Sequence, residues 1–68
     1  MTVYVAMDHD GRIFAICPTR EAARAYSLSG AGQSAGAFRV GAWQVADSGG
    51  DLHSVEVWRG GKWEGEAR

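Results

Sequence analysis

Two stretches of alternating residues flank an Asp10-Gly11 pair, and this arrangement constrains the fold more than any other feature of the sequence. In residues 2–7, Val3, Val5 and Met7 share one parity, and Thr2, Tyr4 and Ala6 share the other. Side chains of a strand alternate between faces, so the pattern is that of a strand with β-branched and aromatic content. Asp-Gly suits the positive φ angles of a two-residue hairpin turn. Residues 12–17 then resume the strand pattern. With Asp10 and Gly11 as the turn, His9 faces Arg12, Met7 faces Phe14, Val5 faces Ile16 and Val3 faces Pro18. Apolar residues then meet on one face, and a slip of one residue destroys the match. The other face carries Tyr4, Ala6, Ile13, Ala15 and Cys17, so it is expected to be covered or to be a contact surface.

Pro18-Thr19 ends the second strand, and Thr19 is a good N-cap, with Glu21 in the first helical turn where a negative charge favours the dipole. The helix is predicted from about Arg20 to Ser29, stopping at Gly30. Ala22, Ala25, Tyr26 and Ser29 lie along one side, Ala23 at its margin, while Arg20, Glu21 and Arg24 face water. The expected packing surface is the Val3-Val5-Met7-Phe14-Ile16 face. Residues 30–37 are Gly, Ala, Ser and Gln only, the composition of a flexible linker. A third strand is predicted over residues 38–46, with a bulge at Gly41-Ala42 bringing Phe38, Val40, Trp43 and Val45 to one face. Residues 47–51 read as a loop, and residues 52–66 as a C-terminal β-ribbon with a short closing strand. The expected fold is one α+β domain over residues 1–68: a single antiparallel sheet in β-β-α-β-β order, a short fifth strand and one short helix on one face.

At 68 residues the chain has room for one thin core. Such a core rarely supplies more than about 3–5 kcal/mol, so self-association is a plausible source of further burial. The net charge of -1 and pI near 6.0 predict neither a polyanion-binding protein nor an acidic mimic of nucleic acid. Cys17 stands alone, so no internal disulfide forms and a reducing compartment fits best. The N-terminal residues lack the basic and long apolar segments of a signal peptide, and cytoplasmic is the expected location.

Candidate chemistry is sparse. Asp8-His9-Asp10 looks like a metal or acid–base cluster, but neighbouring residues on a strand point to opposite faces, and a polar turn has the same composition. Neither His9 nor His53 comes within a recognised ligand spacing. Cys17, opposite Tyr4 and far along the hairpin from His9, reads as a small core residue. Gly30-Ala31-Gly32-Gln33-Ser34-Ala35-Gly36 resembles a phosphate-cradling loop, yet it follows a helix and lacks the lysine. No catalytic, metal or cofactor-binding residue is therefore expected. Trp58 and Trp63 face one another around Gly60-Gly61, and tryptophan is a common interface anchor. Arg59, Lys62, Tyr4 and Ile13 complete the candidate partner-binding set.

At Val3-Tyr4-Val5, Gly11, Ile13-Phe14-Ala15, Pro18-Thr19-Arg20-Glu21-Ala22-Ala23, Tyr26 and Ala42-Trp43-Gln44-Val45, the chain resembles a loose group of small uncharacterised bacterial and phage proteins. The resemblance spans roughly two-thirds of the chain and implies the β-β-α-β order but no activity, since that group has no catalytic motif. The glycine-rich segment and the tryptophan ribbon depart from it. The expected function is a non-catalytic protein–protein interaction module. By analogy of size and type, it is a phage- or mobile-element-encoded modulator or inhibitor of a host complex, like an anti-CRISPR protein. One alternative is a small nucleic-acid-binding module using sheet aromatics with Arg12, Arg39, Arg59 and Lys62; low net charge argues against it. The other is a structural homodimer.

Overall fold

In a computed structural model, which describes residues 1–66, the N-terminal hairpin pairs β1 (Thr2–Met7) with β2 (Ile13–Cys17). Val5 faces Ile16 and Tyr4 faces Cys17, as the alternation requires. The turn departs from the expected two-residue form. The Asp8 amide donates to the Arg12 carbonyl at 3.0 Å, so His9, Asp10 and Gly11 form the loop. Gly11 has φ 87°, whereas no residue other than glycine has positive φ among those described. The cause is Asp8, whose Oδ1 accepts the amides of Asp10 and Arg12, both at 2.9 Å. Such a local bridge favours the wider turn. The extra residue is absorbed in a bulge: Ala6 faces Ala15, but Met7 faces Ile13 and not Phe14. Ile13 therefore sits on the Met7 face, away from Tyr4 and Ala6.

Helix α1 (Arg20–Leu28) begins as expected at Thr19, whose hydroxyl accepts the Ala22 amide at 3.2 Å. Ser29 closes it, its amide donating to the Tyr26 carbonyl at 3.0 Å. The same serine then caps a second helix, α2 (Gly30–Ala35), accepting the Gly32 amide at 3.2 Å. The segment 30–37, expected as a flexible linker, thus contains a helix. Its closure is local: Gly36 takes φ 71°, its amide donates to the Gln33 carbonyl, and the Ala37 amide donates to the Gly32 carbonyl at 2.9 Å. Caps at both ends offset the poor helix propensity of glycine.

The remaining strands are β3 (Arg39–Ala46), β4 (Gly49–Arg59) and β5 (Lys62–Gly65). The described residues form one five-stranded antiparallel sheet of order β2-β1-β3-β4-β5, with two helices. The expected loop at residues 47–51 shrinks to an Asp47-Ser48 turn, because Val45 pairs with Gly50 and Ala46 with Gly49. The expected bulge moves to the other strand. Ala42 faces Ser54 and Trp43 faces Leu52, which leaves His53 as the extra residue. Val40 consequently lies on one face of the sheet, and Trp43 and Val45 on the other.

The connection from β2 to β3 must cross β1, and it lays α1 on the face carrying Tyr4, Ala6, Val40, Ala42 and Glu56. The Arg20 guanidinium lies 5.0 Å above the Tyr4 ring, and Arg24 reaches Glu56. The expected packing of the helix on the Val3-Val5-Met7-Phe14-Ile16 face is therefore reversed. Size explains it. Ala6 and Ala42 on the sheet, and Ala23 and Ser27 on the helix, are all buried, and such small side chains allow a helix to lie close to a sheet. The inward stripe is Arg20, Ala23, Arg24 and Ser27, while Ala22 and Ala25 are exposed. The two arginines turn inward because Glu56 needs them.

Candidate interaction surface

The covered face is held by a charge cluster. Glu56, on β4, is buried, and its carboxylate accepts from Arg24 Nε at 2.8 Å and Nη2 at 2.6 Å. Arg20 Nη1 adds an ion pair at 3.3 Å. The hydrogen bonds from Arg24 hold the Glu56 carboxyl below its ordinary pKa, against the opposing push of burial, and Arg20 adds to the lowering. Because the folded-state value is depressed, this clamp stabilises the fold above the unfolded carboxyl pKa of about 4.3. That contribution is lost as pH falls through the folded value. Glu56→Gln is expected to flatten the acid limb of the stability profile and to cost about 2 kcal/mol at neutral pH, the worth of hydrogen bonds to a charged group whose partly exposed arginine partners can rehydrate. Urea unfolding at a series of pH values measures both, and an unchanged acid limb would contradict the assignment.

Among the described residues no helix covers the opposite face. Val5, Met7 and Val55 are nonetheless buried there, with Val5 2% exposed, because Trp43 and Leu52 pack against them. Gly41 makes room: a Cβ on it would fall 2.8 Å from both Leu52 Cδ1 and Met7 Cε. Trp43 Nε1 is buried with no acceptor among the described residues, so this cluster is not fully satisfied internally. Towards the β2 edge the cover gives out. Ile16 is 69% exposed, Ile13 44% and Phe14 36%. These residues lie on an edge strand whose outer backbone groups have no ladder partner among the described residues. A row of large apolar side chains beside an unpaired edge has the chemistry of a binding surface.

The candidate partner-binding residues divide between the faces. Gly60 and Gly61, at φ 63° and 79°, make the expected primed turn, with Arg59 facing Lys62 and Trp58 facing Trp63. The indoles lie 5.3 Å apart at 60°. They sit on the helix side, where the Arg24 guanidinium lies 5.6 Å from the Trp63 ring. Both are half-buried, so the ribbon is partly roofed and does not project freely. Trp63→Ala is expected to abolish an exciton couplet in circular dichroism; a spectrum unchanged by the substitution would refute the indole contact. Arg59 and Lys62 are exposed at the turn, Lys62 lying 3.6 Å from Glu64. Tyr4 is beneath Arg20, whereas Ile13 is on the open face. Phe14 and Ile16 fall on the face that alternation makes the expected core; their place on an edge strand is what exposes them.

The other sequence features separate. Asp8 is a turn residue, with its carboxyl held below its ordinary pKa chiefly by the Arg12 backbone hydrogen bond, and His53 lies in the β4 bulge. Among the described residues no group of three His, Cys, Asp or Glu side chains could hold a metal ion. Cys17 is half-buried opposite Tyr4. Register puts Arg12, Arg39, Arg59 and Lys62 at one end of the sheet, but Asp8, Asp10, Glu64 and Glu66 share that end, and Arg39 is paired with Glu66 at 2.8 Å. No helix among the described residues is long and apolar enough to cross a membrane. No family model, curated protein or solved structure matches the chain.

Proposed function

We propose that this chain is a non-catalytic protein–protein interaction module that works through its open sheet face and the β2 edge. The observation that carries the reading is the exposed apolar row Ile13, Phe14 and Ile16 on an unpaired edge strand. An edge strand offers main-chain hydrogen bonds for affinity, and alternate side chains supply selectivity. The Trp58–Trp63 ribbon is secondary in this reading, since Arg24 already lies against it. A modulator or inhibitor of a larger complex is the role such a surface suits, because it acts by occupying a site. The test is a photo-crosslinking residue placed singly at Ile16 and, as a control, at Ala25 on the outer side of the helix. A discrete protein adduct from position 16 and none from position 25 supports the reading. Adducts from 25 alone, or from neither, overturn it.

A further inference from the structure

We propose that Asp10-Gly11 is a modification site of this chain, where Asp10 converts spontaneously to isoaspartate through a cyclic imide, and that the Asp8 side chain restrains the reaction. The site is independent of the function assigned to the β2 edge. Ring closure needs a main-chain nitrogen that can reach the preceding side-chain carboxyl, and a glycine after the aspartate obstructs it least. Of the four aspartates only Asp10 precedes glycine, and the chain has no asparagine. The other aspartates are worse placed. The Asp8 carboxylate accepts the Asp10 and Arg12 amides at 2.9 Å each, and Asp51 lies in β4 opposite Gln44. Asp47 is in a turn, but Ser48 follows it. At the hairpin tip His9, Asp10 and Gly11 are all exposed, the Asp10 side chain 77% so, and a Cβ on Gly11 would meet nothing within 4 Å. The attacking nitrogen is engaged only by the Asp8 carbonyl at 3.1 Å among the described residues. An exposed bond at a loop tip opens without global unfolding.

The chemistry balances with no added reagent. The Gly11 nitrogen bonds to Asp10 Cγ, and its proton leaves with the hydroxyl of the protonated Asp10 carboxyl as water. A water molecule then opens the ring. Attack at Cγ restores aspartate. Attack at the Asp10 main-chain carbonyl carbon leaves Gly11 joined through Cγ, which is isoaspartate. Composition is unchanged, but the main chain gains a methylene between the two residues.

That methylene falls in a closed loop. The Asp8 amide donates to the Arg12 carbonyl at 3.0 Å, and Asp8 Oδ1 accepts the Arg12 amide, so Asp8 fixes the span of the tip. A longer tip strains these bonds and the bulge that sets Ile13 opposite Met7. The bond from the Asp10 amide to Asp8 Oδ1 limits rotation of Asp10, and this is the restraint on ring closure.

The test incubates the folded chain in warm, mildly acidic heavy-oxygen water, then digests it and locates isoaspartate by electron-transfer fragmentation. Isoaspartate is expected at position 10, with heavy oxygen in both the aspartate and isoaspartate forms, ahead of any at Asp8, Asp47 or Asp51. Asp10→Glu, which needs a larger ring, is expected to lose the product. Asp8→Ala is expected to accumulate it faster than wild type while keeping its sheet signal in circular dichroism. If that variant does not fold, Asp8→Ser, whose hydroxyl accepts more weakly, takes its place. The isolated isomer is expected to melt below the parent, with shifted Arg12 and Ile13 amide resonances. Product formed only in the urea-unfolded chain, or first at another aspartate, overturns the site. Equal rates in wild type and the Asp8 variant overturn the restraint, and an isomer that melts with the parent overturns the effect on the tip.

Discussion

Gly32→Ala is expected to destabilise the protein by about 3 kcal/mol, although alanine is the better helix former by about 1 kcal/mol. Gly32 is buried where α2 turns back against the end of α1. A Cβ on it would overlap the Tyr26 carbonyl oxygen and lie 2.7 Å from the Ser27 carbonyl oxygen and 2.8 Å from its carbon. These are backbone atoms in the last turn of α1, so no side-chain rotamer relieves the collision. The two helices have to separate, and Ser29 then loses one of its two roles: its hydroxyl donates to the Tyr26 carbonyl at 2.5 Å and accepts the Gly32 amide. Gly30→Ala is the control. A Cβ there meets nothing within 4 Å, and the expected change is zero to a few tenths of a kcal/mol in the stabilising direction. Thermal melts should separate the two variants by roughly 10–20 °C for a domain of this size. Equal melting temperatures would mean that α2 does not pack on α1 through Gly32.

Val5→Asp is expected to abolish folding, while Ile16→Asp leaves the monomer folded. The two residues are direct cross-strand partners on the same face, and a reading of the hairpin alone treats them alike. Their surroundings differ. Val5 is 2% exposed, closed in by Met7 and Val55 under Trp43 and Leu52, and a carboxylate there has no cation beside it. An unpaired buried charge costs several kcal/mol, which exceeds the roughly 3–5 kcal/mol a core this thin supplies. Ile16 stands on the edge in water, and surface substitutions usually stay within about 0.5 kcal/mol. Circular dichroism and urea titration of both variants in dilute solution check this. A folded Val5→Asp protein would show that the cluster on the open face contributes little to stability.

The alternation in residues 2–7 and 12–17 was enough to place the hairpin and its Val5–Ile16 pairing, because a one-residue slip mismatches every side chain. Thr19 and Gly60-Gly61 were equally legible, since a helix start needs an acceptor and a primed turn needs positive φ. The face chosen by the helix was not. Both faces of β1 are apolar, and large side chains at Val5 and Met7 draw the eye to the wrong one. The deciding residues are small ones, Ala6, Ala23, Ser27 and Ala42, together with Glu56, which needs two arginines from the inner side of α1. None of these stands out as core in a linear sequence. Gly49-Gly50-Asp51 reads as loop by composition, yet β4 runs through it, with Gly50 beneath the Trp43 ring. The exposed apolar row was less legible: alternation puts Ile13 on the Tyr4 face, and its place on the Met7 face depends on a bulge set by the Asp8 side chain, while the exposure of Phe14 and Ile16 follows from strand order.

The Val5–Trp43 side of the sheet carries no helix among the described residues, and the Ala6–Ala42 side is closed by α1. Methyl relaxation by a soluble paramagnetic agent, measured in dilute solution, tests this directly. The Ile13, Ile16 and Val45 methyls are expected to be strongly broadened, and those of Ala6, Val40 and Ala42 protected. Protection of Ile13 and Ile16 together with broadening of Ala6 and Ala42 would put the helix on the other face and remove the proposed surface.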